Sequence, residues 1–434
     1  MRISKTKFME NQVIFLAVFT FNLIIAYFLV FKFGYIAEEA IIRTGQALDL
    51  INGYNRGRQS LICSVWWLPL PTFIQLPLTF CRFHLHNLFL NNIISSFFAA
   101  GSIVFLNMLF KHCGLDRLYR YLLLAVFQLT PLILFCSANG TSQMIFVLFL
   151  VASLYYLLGW LKENGLRDFL LMTLNISMLC LIRLEGFFYA LAILVIVIVV
   201  SFHQKYQRSR KEGLLLLYLA PIGYLISLWF LFNWLIMGDL LYFLRGIFSG
   251  GGQLANPLRN LVIILAFVFI LLAKFLELQE KNNHSHTLKK YIFLILLIAS
   301  LSSGRALHLI KKEVNWAGRH EQEIAEIGAY LAKYKADSQV LVTDFQGYLF
   351  KYYGSGTYSL THCFDFDLEK IPPGDDPVYL LVSRPEDKAG FGSIHWKYPN
   401  IYNEGTRFTM LDQNFATWCL FRVIRVDGKL MDER

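Results

Sequence analysis

Two adjacent carboxylates, Glu38 and Glu39, stand just beyond the first long apolar run of the chain, in the stretch GYIAEEAIIRTGQALDLING from Gly34 to Gly53. Carboxylates at a membrane boundary cost free energy unless they are solvated or paired. Such acids could accept the proton of an attacking hydroxyl, or orient a substrate or a metal ion. Neighbouring residues on one helix point about 100° apart, so these two do not act as a matched pair on one atom. Ile41, Ala47, Leu48 and Leu50 recur at roughly helical spacing, which predicts a short helix lying on an apolar surface while its acids face a cavity. The bland alternative is a solvated loop in which Glu39 pairs with Arg43 four residues on.

The elements that position these acids follow from composition. Of 434 residues, 56% are hydrophobic and 16% charged, and long apolar runs return along the chain. That pattern predicts a polytopic membrane protein with a soluble portion at one end. Nine spans are expected, at about 12–33, 88–110, 119–136, 142–161, 168–182, 186–203, 213–236, 258–276 and 291–305. The first is read as a retained span, since no small-residue cleavage site follows it. With the N-terminus inside, the inner loops carry sixteen Lys and Arg and the short outer loops six, as the positive-inside rule requires. The apolar segment 65–80 holds Pro69, Pro71 and Pro77 and is read as interfacial or re-entrant, because a further span there would reverse that charge balance.

The net charge of +10 does not point to nucleic acid, because the bases cluster between apolar runs and no RNA- or DNA-binding motif appears. Seven cysteines lack paired metal-type spacing, and Cys363 and Cys419 share the tail without a pattern that demands a disulfide. No P-loop, zinc motif or nucleophile elbow is present.

All six bases of the outer loops are arginine. A guanidinium offers a planar fork of donors suited to phosphate oxygens, which makes Arg56, Arg58, Arg183 and Arg245 phosphate-binding candidates; pairing with nearby acids is the alternative. Arg183 and Glu185 flank a short outer turn, where ionisable residues are functional candidates by default. Asp239, Tyr242 and Arg245 open a loop through Gly250, Gly251 and Gly252 that reads either as a cover for a substrate or as a plain linker. Trp66 and Trp67 read as interfacial anchors, and His84 and His86 receive no catalytic role.

Beyond Arg305 the character changes. Glu321–Lys335 has a helical pattern, Gln339–Asp344 reads as a buried strand followed by a helix through Tyr352, and Val378–Val382 and Trp418–Ile424 read as further strands. The expected organisation is a membrane domain over 1–305, with its first outer loop at 34–87, and a small α/β extracytoplasmic domain over 306–434. The latter lacks a Gly-rich phosphate fingerprint.

Several short motifs resemble the multispanning C-type (GT-C) glycosyltransferases, the superfamily of the dolichyl-phosphate-mannose-protein mannosyltransferases and the aminoarabinose transferases. Glu38, Glu39, Ala40, Ile42, Ala47, Leu50 and Gly53 match its acid pair and following helix. Ser137–Thr141 is similar to its short polar outer turn, Ile182–Gly186 to its Thr-Arg-Pro-Glu-Gly turn, and Met237–Phe243 to its Phe-Gly-Asp-Pro-Leu stretch. Departures from the family pattern are Glu for Asp at both acidic positions, Leu184 and Leu240 in place of proline, and Gly45 where an arginine often stands.

The resemblance implies an inverting transferase that moves a sugar from a polyprenyl-phosphate donor to a glycan, lipid or protein acceptor outside the cytoplasm. It implies Glu38 as base and Glu39 as the residue orienting donor, acceptor or metal; it fixes no cofactor and leaves a divalent metal open. The membrane would be the bacterial inner (plasma) membrane, or the endoplasmic reticulum in a eukaryote. The competing expectation is a non-catalytic subunit of the same fold or a lipid-linked glycan transporter, though a transporter would carry more ionisable residues within its spans.

Overall fold

A computed structural model describes residues 5–53, 55–63, 68–80, 89–204, 206–242, 285–335, 338–343, 346–353, 359–363, 377–385 and 394–424. The chain is mostly helical and falls into two compact units. Met1–Ala40, Trp66–Phe230 and Leu254–Val314 form the first; Ile41–Val65, Leu231–Gln253 and Asn315–Arg434 form the second. The sequence draws one boundary near residue 305, whereas compactness assigns 41–65 of the first outer loop to the unit that holds the tail.

Among the described residues, five helices are long and apolar enough to cross a membrane: Met9–Lys32, Phe89–His112, Gln143–Glu163, Glu185–His203 and Arg208–Met237. This is a multi-pass membrane protein. A sixth candidate, the span expected at 119–136, is a broken one: two helices, Arg117–Leu129 and Pro131–Ala138, bent by 68°. The break has a local cause: proline expels the residue before it from helical geometry, and Thr130 accordingly sits at φ −58, ψ 125. Its hydroxyl donates to the Val126 carbonyl at 2.8 Å, satisfying one acceptor at the bend.

The expected span at 168–182 is the 17-residue helix Leu166–Ile182, with Phe169, Met172, Ile176, Leu179 and Ile182 fully buried at helical spacing. Its apolar face packs into a core with Trp160, Tyr189 and Tyr218. Segment 65–80 holds the helix Leu70–Phe80; eleven residues rise about 16 Å, half of the roughly 30 Å hydrocarbon core. On the first helix Val13, Leu16, Ile24, Phe28 and Phe31 are exposed, as a lipid-facing stripe would be. The span expected at 258–276 lies outside the described residues. That at 291–305 falls within the helix Ser285–Tyr334.

The second unit contains a five-stranded sheet in the order β2-β1-β3-β5-β4, with β1 Gln339–Thr343, β2 Ser359–Cys363, β3 Val378–Ser383, β4 Thr409–Asn414 and β5 Trp418–Val423. β2, β1 and β3 run parallel, and β5 and β4 add antiparallel. Parallel β1 and β2 require a crossover, in which lies the helix Gln346–Tyr353. β3 is buried along nearly its whole length, as a central strand is. β2 and β4 escape the sequence pattern because SLTHC and TMLDQN carry few apolar residues. Both are edge strands, where burial does not impose alternation. Cys363 pairs with Thr343 and Cys419 with Val382, three strand steps or about 14 Å across the sheet. That separation excludes a disulfide, and Cys419 is a free thiol.

His395 is buried beside this sheet, with Nε2 2.8 Å from the Ser383 carbonyl and Nδ1 without a partner among the described residues. Burial pushes the imidazole pKa below its ordinary 6.5, against the opposing pull of the Ser383 carbonyl. The unfolded chain therefore binds the proton first, and stability falls as pH drops below about 6.5. We expect thermal unfolding midpoints to decrease over that window, with a shallower slope in His395→Asn; an unchanged slope contradicts the assignment.

Candidate active site

Glu38 and Glu39 open the helix Glu38–Ile51, as the helical spacing of its apolar residues predicts. Negative charge at a helix N-terminus is favoured by the peptide dipoles, and Gly53 closes the helix at φ +73, where glycine is unstrained. The Asn91 side-chain amide donates to the Ala40 carbonyl at 2.9 Å and so ties this first turn to the helix Phe89–His112. Both acids are half-buried. Glu39 Oε1 accepts the backbone N–H of Ser142 at 3.3 Å. Ser142 is the N-cap of the helix Gln143–Glu163, so Glu39 satisfies one of that helix's otherwise unpaired amides.

The polar turn Ser137–Thr141 is built to present this amide. Ser95 and Ser96 donate to the Ser137 carbonyl at 3.2 and 3.1 Å, and Asn139 Oδ1 accepts from the Thr141 N–H and hydroxyl at 3.1 and 2.8 Å. All of these residues are buried. A buried polar network held on both sides fixes one geometry.

Arg183 caps the helix Leu166–Ile182, and Glu185 opens the next one, Glu185–His203. Arg183 Nη2 lies 3.2 Å from Glu185 Oε1, and its Nε 3.4 Å from both carboxylate oxygens. Burial works against the guanidinium charge, but Glu185 and then Glu39 outweigh it and lift the Arg183 pKa above its ordinary value. Cys136 lies within electrostatic reach of Glu313, Arg183 and Glu39. Glu313 in turn accepts the Tyr35 hydroxyl at 3.0 Å. Residues 35, 39, 136, 142, 183, 185 and 313 thus share one neighbourhood.

Gly186 makes the Arg183–Glu185 turn feasible. A Cβ there would stand 2.3 Å from the Leu179 carbonyl oxygen, a backbone atom with nowhere to go. Gly186→Ala is expected to cost about 1–3 kcal/mol through overpacking and to separate Arg183 from Glu39. A lowered unfolding midpoint in detergent checks it, and an unchanged one counts against the tight turn.

The remaining candidates belong to the second unit or lie outside the described residues. Arg58 is exposed on the helix Asn55–Cys63; Arg56 lies on the same helix with its side chain outside the described residues. Asp239 and Tyr242 belong, like Arg58, to the second unit. Asp239 Oδ1 accepts the Leu241 N–H at 3.0 Å, and its carbonyl accepts the Tyr242 N–H at 3.3 Å, which forms a local turn. Arg245, Gly250–Gly252, Trp66, Trp67, His84 and His86 lie outside the described residues. Among the described residues, no group of three His, Cys, Asp or Glu side chains is placed to hold a metal ion.

Sequence reading did not find Tyr35, Glu313 or the Ser142 amide. Tyr35 and Glu313 are 278 positions apart, and no local pattern joins them. Nor does it account for Gly45. In the second unit the Tyr348 ring lies where a Gly45 side chain would stand, 2.1 Å from the site of its Cβ. The Tyr348 hydroxyl reaches Asp49 Oδ2 at 3.2 Å and Ser60 Oγ at 3.3 Å. Gly45→Ala should therefore cost about 1–3 kcal/mol, and Tyr348→Ala should relieve that added cost in the double variant. Simple additivity of the two unfolding shifts would contradict the contact.

No protein-family model matches the chain, and no curated protein is significantly similar to it.

Proposed function

We propose that this protein is an inverting glycosyltransferase of the GT-C type that transfers a sugar from a polyprenyl-phosphate donor to an acceptor outside the cytoplasm. The observation that carries the reading is that Glu39 accepts the Ser142 amide and lies within electrostatic reach of the Arg183–Glu185 pair. Three of the motifs that resemble the family thereby meet, although they are separated by about a hundred and by forty residues in the chain.

The chemistry is a single displacement. The acceptor hydroxyl attacks the anomeric carbon, Glu38 takes its proton, and the bond to the phosphate oxygen breaks with inversion. The leaving group is already a phosphate, so it needs charge stabilisation rather than a strong acid. Arg183 supplies a guanidinium for that purpose. Glu39, held by the Ser142 amide, orients the reactants. This reading includes nine spans, with the acids and the C-terminal sheet on the outer face of a bacterial inner membrane, or in the lumen of the endoplasmic reticulum in a eukaryote.

The second reading, a non-catalytic subunit of the same fold or a lipid-linked glycan transporter, draws on Tyr348 filling the space beside Gly45, where the family often carries arginine. The discriminating experiment is release of polyprenyl phosphate from a panel of lipid-phosphate sugars by the purified full chain. Release with one or more donors supports the transferase, and release with none supports the second reading.

A further inference from the structure

At the opposite end of the helix Glu185–His203 from Glu185 lies a cavity of about 410 Å³, lined by Ile198, Ser201 and Phe202 and, from the following helix, by Arg208, Lys211 and Leu215. The spacing is helical on both sides: 198, 201 and 202 share one face, as do 208, 211 and 215. The volume is that of a small-molecule site, and the walls are apolar except for Ser201 and the charged mouth.

Three features there point to a ligand. Arg208 and Lys211 bring two cations to the rim against the single carboxylate Glu212. Arg208 and Glu212 pair at 2.8 Å but are 91% and 64% exposed, so the pair is weak and yields readily to a stronger anion. Lys211 lies over the Phe202 ring at 4.2 Å, which holds its ammonium at the lip. Inside, Ser201 lines the cavity, and its buried hydroxyl has no hydrogen-bond partner among the described residues. A buried hydroxyl left unpaired is unfavourable, a penalty that a bound acceptor oxygen removes.

We propose that this cavity is a binding site for an anionic phospholipid of the surrounding leaflet. Arg208 and Lys211 take the phosphate oxygens, Ser201 Oγ donates to an ester or phosphate oxygen, and the upper acyl chain lies along Ile198, Phe202 and Leu215. Two helices long and apolar enough to cross a membrane meet there, so a lipid can reach the site laterally. The charge complementarity selects anionic over zwitterionic headgroups.

The test uses the purified full chain in detergent, incubated with equal phosphatidylglycerol and phosphatidylcholine, with retained lipid read by native mass spectrometry. Wild type should retain phosphatidylglycerol preferentially. Arg208→Ala/Lys211→Ala should weaken that retention roughly thirtyfold, at about 1 kcal/mol for each base. Ser201→Leu should abolish it by filling the cavity with both cations still in place. Arg208→Gln/Lys211→Gln keeps stem length and serves if the alanine pair does not fold. Equal retention of the two lipids, wild-type retention by the charge variants, or displacement of phosphatidylglycerol by inorganic phosphate or by polyprenyl phosphate would each overturn the assignment.

Discussion

Glu38→Gln is expected to lower the turnover of sugar transfer by about 10²–10⁴-fold. The amide keeps the size and the hydrogen-bonding reach of the side chain but cannot accept the acceptor's proton at neutral pH. Because Glu38 opens the helix on the turn that Asn91 holds through the Ala40 carbonyl, the variant should fold with an unfolding midpoint near that of wild type. Donor affinity should also persist, since the donor phosphate is assigned to Arg183. A fall in turnover with KM for the donor unchanged is the signature of a group acting in the transition state alone. Glu38→Asp should be intermediate, because the shorter stem withdraws the carboxylate by about one carbon from the place this chain is built around.

The second large effect is at Arg183. Arg183→Ala should reduce kcat/KM by about 10²–10³-fold, the range for removing one preorganised donor at a developing anion. Arg183→Lys keeps the charge but loses the fork and should recover only part of it. A purely structural role predicts something else. The Arg183–Glu185 pair leaves its side chains 33% and 23% exposed, and partly exposed pairs contribute about 1 kcal/mol or less. If Arg183 only braced the turn, the alanine variant would lose a little stability and no catalysis, and removing Glu185 as well would leave the rate at that of wild type. With Arg183 as the group that stabilises the departing phosphate, the Arg183→Ala/Glu185→Ala variant stays slow.

Much of this was legible in the chain because it is encoded locally. The helix starting at Glu38 and its end at Gly53 follow from acids in a first turn and a glycine at positive φ. The long apolar helices follow from composition, and the strands β1, β3 and β5 from runs such as VLV, VYLLV and CLF that pack in the sheet centre. What was not legible depends on who lies opposite whom. The 68° bend at Pro131 is readable as a breaker, but its use in delivering Ser137–Thr141 to Glu39 depends on the buried contacts of Asn91, Ser95 and Ser96. Glu313 sits in a charged stretch that reads as the start of a soluble tail, and only the fold brings it to Tyr35. Gly45 looks like a lost arginine until Tyr348 is seen to fill its space.

The most direct test of the central claim is the product itself. Purified wild-type protein is given polyprenyl-phosphate sugars of known anomeric configuration with a panel of hydroxyl-bearing acceptors, and the new glycosidic bond is read by NMR. A single displacement with Glu38 as base predicts a product whose anomeric configuration is inverted relative to the donor, formed by wild type and nearly lost in Glu38→Gln. A product of retained configuration, or full activity in Glu38→Gln, would contradict it.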